Sequence, residues 1–139
     1  MYTMKQVCEM TDLPYETLKF YCNKGLVPEL RRDKNNYRVF EERQVRWIKN
    51  LHCLKKCGMN IETIKRYLAL CLEGKDSVPE RMGMLAVQKE QLLKKAEEIQ
   101  ANLDYIAFKE QLYRDILDGK IPYKSDLIRT QEDEEAPLK

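Results

Sequence analysis

The side chains whose types and spacing point to chemistry lie between Thr17 and Phe40 of this 139-residue chain. The segment reads Thr-Leu-Lys-Phe-Tyr-Cys-Asn-Lys-Gly-Leu-Val-Pro and, after a short charged run, Asn-Asn-Tyr-Arg-Val-Phe. It has the order of a recognition helix, a glycine stop and a basic wing. A rigid helix that displays hydroxyls and cations, followed by a loop of arginines, suits a DNA groove and its flanking phosphates. Catalysis has no comparable candidate. There is one histidine, no glycine loop to cradle a phosphate, and no Ser/His/Asp or paired-carboxylate arrangement on which a helical pattern converges. Cys53 and Cys57 are spaced i, i+4, but His52 adjoins Cys53 and lies about 100° away around a helix, so a metal site is not expected. Neither a catalytic residue nor a cofactor is expected.

These residues need elements to hold them. Thr3-Met4-Lys5-Gln6 offers a capping box for a short helix to about Met10, and Thr11-Asp12-Leu13-Pro14 breaks it. Pro14 fits the first turn of a second helix, in which Leu18 and Tyr21 can face inward before Gly25 stops it. Two short helices with a tight turn make a helix-turn-helix candidate. Asn35-Asn36 tolerates positive φ and can turn a hairpin, with Tyr37 and Val39 alternating as a short strand. A third helix is expected from about Glu41 to Cys57, burying Val45, Ile48, Leu51 and Leu54 with Trp47 beside them, and ended by Gly58. Asn60 caps a fourth, with Ile61, Ile64, Leu68, Cys71 and Leu72 on its inner face and Gly74 as its stop.

Beyond Ser77-Val78-Pro79 the pattern becomes a sustained heptad. Met82, Leu85, Lys89, Leu92, Ala96, Ile99, Leu103, Ile106, Glu110, Tyr113 and Leu117 alternate three- and four-residue steps. A helix on the order of 55–60 Å long cannot bury that stripe against a small domain, so it calls for a partner helix. Parallel pairing of two copies would oppose Lys89 to Lys89 and Glu110 to Glu110. An antiparallel pair centred near Ile99 to Leu103 instead brings Lys89 within about one turn of the other chain's Glu110. The expected fold is therefore mainly α: a winged helix-turn-helix domain over residues 1–76, an antiparallel coiled-coil dimerisation helix over 77–119, and a short flexible tail over 120–139. In that tail Glu132 to Pro137 has a solvated, disordered composition, while Tyr123, Leu127 and Ile128 are free to dock locally.

Composition agrees with this division. Residues 1–78 hold fifteen Lys and Arg against ten Asp and Glu, and the remainder ten against thirteen, which places the basic excess with the reading segment. All five cysteines fall at or before Cys71, an odd number without an export signal, which points to reduced thiols. No apolar stretch is long enough for a bilayer, and a cytoplasmic protein without a membrane partner is expected.

Thr17-Leu18-Lys19-Phe20-Tyr21, Gly25-Leu26-Val27-Pro28, Tyr37-Arg38-Val39-Phe40, Gly58-Met59 and the long heptad helix together resemble the MerR family of bacterial transcription regulators over about residues 1–118. The resemblance implies a homodimer on a pseudo-palindromic, double-stranded promoter with a long spacer, which it bends and untwists so that RNA polymerase engages both promoter elements. Such deformation costs several kcal/mol, roughly, and needs a multi-contact basic surface. By position, Thr17, Lys19, Tyr21, Tyr37 and Arg38 match family DNA contacts, with Arg31 or Arg32 joining the wing. Lys19 stands where arginine is usual, which favours a phosphate contact over bidentate guanine reading. Tyr21 has two readings, a hydroxyl that reaches the DNA backbone or a ring in the core. Phe20, Cys22 and Asn36 replace a common tyrosine, acid and glycine, which leaves the operator sequence open.

The resemblance also bears on the input signal. No cysteine follows Cys71, unlike metal-sensing members, and the tail is too short for the ligand domain of multidrug-sensing ones. A short member that responds through its DNA-binding half, or one without a dedicated effector, remains. Cys53 resembles the lone third-helix cysteine of the aldehyde- and electrophile-responsive branch, with Lys55, Lys56 and His52 nearby as cations of the kind that activate thiols. Adduct formation or oxidation there would shift the helix against the dimer interface. The other reading of Cys53 is a small buried apolar residue. From a different functional class, a helical coiled-coil interaction protein without sequence-specific DNA binding is the alternative, although it has no need of Tyr37 and three arginines on one wing.

Overall fold

The structure is a computed structural model of the chain, and it describes residues 1–129. The elements run β1 (Tyr2–Thr3), α1 (Met4–Thr11), α2 (Tyr15–Asn23), β2 (Arg31–Arg32), β3 (Arg38–Phe40), α3 (Glu42–Lys56), α4 (Ile61–Glu73), a 3-10 turn (Lys75–Ser77) and α5 (Val78–Leu117). By compactness the chain forms two units, Met1–Leu93 and Lys94–Lys139, which divide inside α5. The acidic run Glu132 to Pro137 lies outside the described residues.

Local chemistry accounts for the boundaries in the first unit. The expected capping box is present: the Gln6 N–H donates to Thr3 Oγ1 at 3.2 Å and the Thr3 N–H to Gln6 Oε1 at 2.9 Å. Asp12, in the left-handed region at φ 55, ends α1. Pro14 does not enter α2 but occupies its cap position at ψ 147, and its carbonyl accepts from the Thr17 and Leu18 N–H groups. That placement starts the helix without requiring a donor from proline.

Gly25 (φ 71) closes α2 with a double bond pattern: its N–H donates to the Cys22 carbonyl at 3.1 Å and the Leu26 N–H to the Tyr21 carbonyl at 3.0 Å. Gly58 and Met59 repeat it on α3 with Lys55 and Leu54. In both cases the apolar residue after the glycine, Leu26 or Met59, is buried.

One strand was not anticipated. Tyr2–Thr3 pairs antiparallel with β3 (Tyr2 opposite Phe40, Thr3 opposite Val39), so the wing strand β3 is central in a three-stranded sheet of order β1-β3-β2. A two-residue strand has no periodicity to read, and here Thr3 both pairs and caps. On the other side Arg31 faces Val39 and Arg32 faces Arg38. Asn36 (φ 65) turns the hairpin, held by Asp33, whose carboxylate accepts from the Asn35 and Tyr37 N–H groups.

The core is a single cluster formed by Val7, Leu18, Tyr21, Leu26, Phe40, Val45, Ile48, Leu51, Met59 and Ile64 with their neighbours. Leu54 and Trp47 are half-buried at its edge. The expected inner face of α4 is corrected at its end. Leu72 is 66% exposed, whereas Leu70 is buried where the chain turns back through Lys75–Ser77 and the Ser77 hydroxyl donates to the Leu70 carbonyl. A helix covered on two sides does not keep one stripe.

Within the second unit the heptad residues stand exposed, Ile99 at 60% and Leu103 and Ile106 at 55%. Gly119 (φ 75) ends α5 in the same way as Gly25 ends α2.

A Cβ added at Gly25 would meet nothing within 4 Å, so the cost of Gly25→Ala is conformational alone. Denaturant unfolding of this variant is expected to show a loss of about 1–2 kcal/mol, the strain of an L residue in the left-handed region.

Candidate nucleic-acid interface

Three elements set the geometry of the basic face. The C-terminus of α2 is fixed by its glycine cap, β3 is fixed on both edges, and α3 joins them. The Trp47 Nε1–H donates to the Leu26 carbonyl at 2.7 Å, and the Gln44 side chain, 4% exposed, donates to the Pro28 carbonyl at 2.9 Å. Gln44 Oε1 accepts from the Glu41 N–H at 2.8 Å, so the one amide also caps its own helix. The connection between recognition helix and wing is thereby pinned at two carbonyls. At its far end Glu29, at φ 58, pairs with Arg43, which also holds Glu41 at 2.8 Å. That guanidinium holds the Glu29 carboxyl below its ordinary range.

Against this frame Lys19, Arg31, Arg32 and Tyr37 are exposed, Thr17 and Arg38 half-buried. Arg38 donates to Asn23 Oδ1 at 2.6 Å and so ties the wing to the last residue of α2, while Arg32 donates to the Asn36 carbonyl at 2.9 Å across the hairpin turn. Tyr21 takes the core reading and is corrected as a DNA contact. It is 2% exposed and its hydroxyl is 2.9 Å from His52 Nδ1 on α3. Its ring anchors α2 to α3, and burial pushes its phenol upward in pKa.

Other residues at this face escaped the sequence reading. A hollow of about 400 Å³ lies between the start of α1, the start of α2 and the wing, lined by Thr3, Lys5, Tyr15, Asp33, Tyr37 and Arg38. Tyr15 is 52% exposed, and Lys24 sits 5.7 Å over the ring of exposed Phe20. The signal for these was their spacing: Tyr15 and Lys19 are i, i+4, as are Phe20 and Lys24.

Of the five thiols Cys53 is exposed and the other four are half-buried. Burial pushes Cys22 up, and the nearby Arg38 and Arg32 oppose this less strongly; Cys8 is raised by burial and by Glu9. Cys53 opens into a groove of about 530 Å³ with Trp47, Leu54, Tyr67, Arg81 and Leu85. His52, the neighbour in sequence, has its Nδ1 at the Tyr21 hydroxyl, and it is not among the residues that line this groove. Among the described residues no group of three or more His, Cys, Asp or Glu could hold a metal, and no helix is long and apolar enough to cross a membrane.

This face, a capped helix beside a basic hairpin, has counterparts of known type. Residues 2–71 match the family profile described as MerR HTH family regulatory protein. The chain belongs to the MerR family. It is 30% identical over 113 residues to an uncharacterized HTH-type transcriptional regulator of Haemophilus influenzae, covering 81% of this chain and 84% of that one. It is 31% identical over 88 residues to the HTH-type transcriptional regulator AdhR of Bacillus subtilis, covering 63% of each. Among solved structures, HiNmlR, a MerR family regulator lacking the sensor domain and bound to promoter DNA, superposes with a TM-score of 0.72 at 29% identity, over 84% of this chain and 89% of that one. A MerR family transcriptional regulator from Listeria monocytogenes gives 0.75 at 28%, over 86% and 91%. The chain is thus a MerR-type transcription regulator with a helix-turn-helix DNA-binding fold, and its relatives are regulators rather than enzymes.

Two substitutions separate contact from support. Lys19→Ala is expected to weaken DNA binding uniformly across sequences and to lower the log–log salt slope by about 1, as for one lost phosphate contact. Tyr21→Phe is expected to lose about 1 kcal/mol of stability with that slope unchanged. Fluorescence anisotropy titrations at several salt concentrations, with denaturant unfolding alongside, distinguish them.

Proposed function

We propose that this MerR-family protein acts as a homodimer that binds a pseudo-palindromic promoter, strains the spacer between the half-sites, and so controls access of RNA polymerase. The observation that carries the reading is the pairing of an outward basic face with an uncovered apolar seam on one chain. Thr17 and Lys19 on α2 and Arg31, Arg32, Tyr37 and Arg38 on the wing supply phosphate and groove contacts. Leu85, Lys89, Leu92, Ala96, Ile99, Leu103, Ile106, Glu110 and Tyr113 supply the antiparallel dimer interface, with residues 77–119 as the dimerisation element. Ion pairing of Lys89 near Glu110 sets the orientation, and twofold symmetry then presents two copies of the reading unit to two half-sites.

Cys53 is the proposed input. It is the exposed thiol of the chain, and an aldehyde, another electrophile or an oxidant reaching it would add bulk in a groove that ends at Leu85, a seam residue. Chemistry at α3 would then alter how the head meets the dimer.

Gel-shift titration against the DNA upstream of its own and neighbouring genes is expected to give a salt-sensitive, sequence-preferring complex. A complex without sequence preference would leave only the coiled-coil interaction reading. Lys89→Cys is expected not to link to itself across the dimer under oxidation; ready self-linking would reverse the proposed orientation. In cells, Cys53→Ser is expected to abolish the change in promoter output under aldehyde or oxidant stress, and an unchanged response would remove Cys53 as the sensor.

A further inference from the structure

Helix α2 carries a single acid, Glu16, on a surface otherwise suited to attract phosphates. Leu18 and Tyr21 are its buried residues and define its inward line. At 100° per residue, Glu16 and Asn23 stand within about 10° of the line directly opposite, with Lys19 about 50° to one side and Phe20 about 50° to the other. All four are exposed and form the outward crest of the helix. Two of them are engaged: Asn23 Oδ1 accepts from Arg38 at 2.6 Å, and the Phe20 ring lies under Lys24. Glu16 is not. Among the described residues its side chain takes part in no hydrogen bond and no ion pair, Lys19 three residues on included.

A carboxylate in this place costs binding unless it meets a donor. The duplex carries one negative charge for about every 1.7 Å of its axis, so the acid is repelled at every sequence alike. In the major groove the donors are the N4 amino group of cytosine and the N6 amino group of adenine; guanine N7 and O6, adenine N7 and thymine O4 are acceptors. Adenine sets its own N7 acceptor beside N6, whereas cytosine offers N4 with no acceptor on its own edge. Cytosine is therefore the base that a lone carboxylate matches. Helix-turn-helix units bring the N-terminal residues of the recognition helix to the base edges, and Glu16 is in the first turn of α2.

We propose that Glu16 is a specificity-determining residue whose carboxylate accepts a hydrogen bond from N4 of a cytosine in the major groove, once in each half-site. The inference deepens the promoter-binding reading and rests on it. Lys19 beside it attracts phosphate without regard to sequence, so affinity and sequence choice are divided between neighbours on one crest. Guanine or thymine at that position turns an acceptor toward the carboxylate, and discrimination then comes from repulsion as well as from the bond.

The test selects preferred sites of the full chain from a pool of duplexes with a random central region, and repeats the selection with Glu16→Ala and Glu16→Gln. Wild-type sites are expected to share a cytosine placed symmetrically in the two half-sites. Glu16→Ala is expected to lose preference at that position alone, and Glu16→Gln, whose amide matches N6 and N7 of adenine, to move it to adenine. In anisotropy titrations, replacing that C·G pair by T·A is expected to weaken the wild type roughly ten-fold and Glu16→Ala by no more than about two-fold. On a duplex of unrelated sequence Glu16→Ala is expected to bind several-fold tighter, since a charge that phosphates repel is gone. Denaturant unfolding of both variants separates a supporting role, because an acid in the first turn also favours the helix dipole. Lost stability with equal weakening on every sequence would overturn the proposal, as would a cytosine retained by both variants. A wild-type motif that the variants leave unchanged removes this inference alone, whereas no shared wild-type motif removes the sequence-preferring reading with it.

Discussion

The reading unit depends on two backbone carbonyls. Leu26 and Pro28 lie where the chain leaves the recognition helix for the wing, a stretch whose polar groups no helix or sheet can satisfy. Trp47 and Gln44 on α3 donate to them from the core side. A buried carbonyl left unpaired would cost about 1–3 kcal/mol, so the connection cannot drift without losing these bonds. That constraint converts a helix and a hairpin into a single surface. Arg38 adds the direct link, from β3 to Asn23 at the end of α2.

The same economy explains why Tyr21 is a support rather than a contact. Its ring fills the space between α2 and α3 and its hydroxyl meets His52, the single histidine, on α3. A tyrosine in a recognition helix carries both an apolar body and a polar tip, and its sequence position does not say which end faces which neighbour. Lys19, two residues earlier, lies about 200° away around the helix and is exposed. Contact and anchor thus alternate on one short helix. The cysteines are sorted by the same packing: Cys22, on α2, is pushed toward the inert thiol by burial, while Cys53 on the outer side of α3 is open.

Apolar surface tells the remaining part. The first unit buries its large side chains in one cluster, and α5 carries a heptad seam that the single chain leaves in water. Exposed leucines and isoleucines at regular helical spacing are costly in isolation, at about 25 cal/mol per Å² of area left uncovered. The proposed dimer removes that cost and also turns one basic face into two.

Much of this was readable from residue order. The helices, the stops at Gly25 and Gly58, the caps at Thr3 and Asn60, the turn at Asn36 and the unbroken heptad are local or periodic features, and steric preference and hydrogen-bond valence determine them within a few residues of chain. What only the tertiary structure decided depends on neighbours far apart in sequence: strand β1 joining the wing, Tyr21 turned to His52, Leu70 buried in place of Leu72, Tyr15 facing the wing, and Cys53 exposed in a groove that α4 and α5 help to wall. A residue's own preferences specify the backbone it favours. Which of its faces is covered is settled by whatever else the fold brings against it.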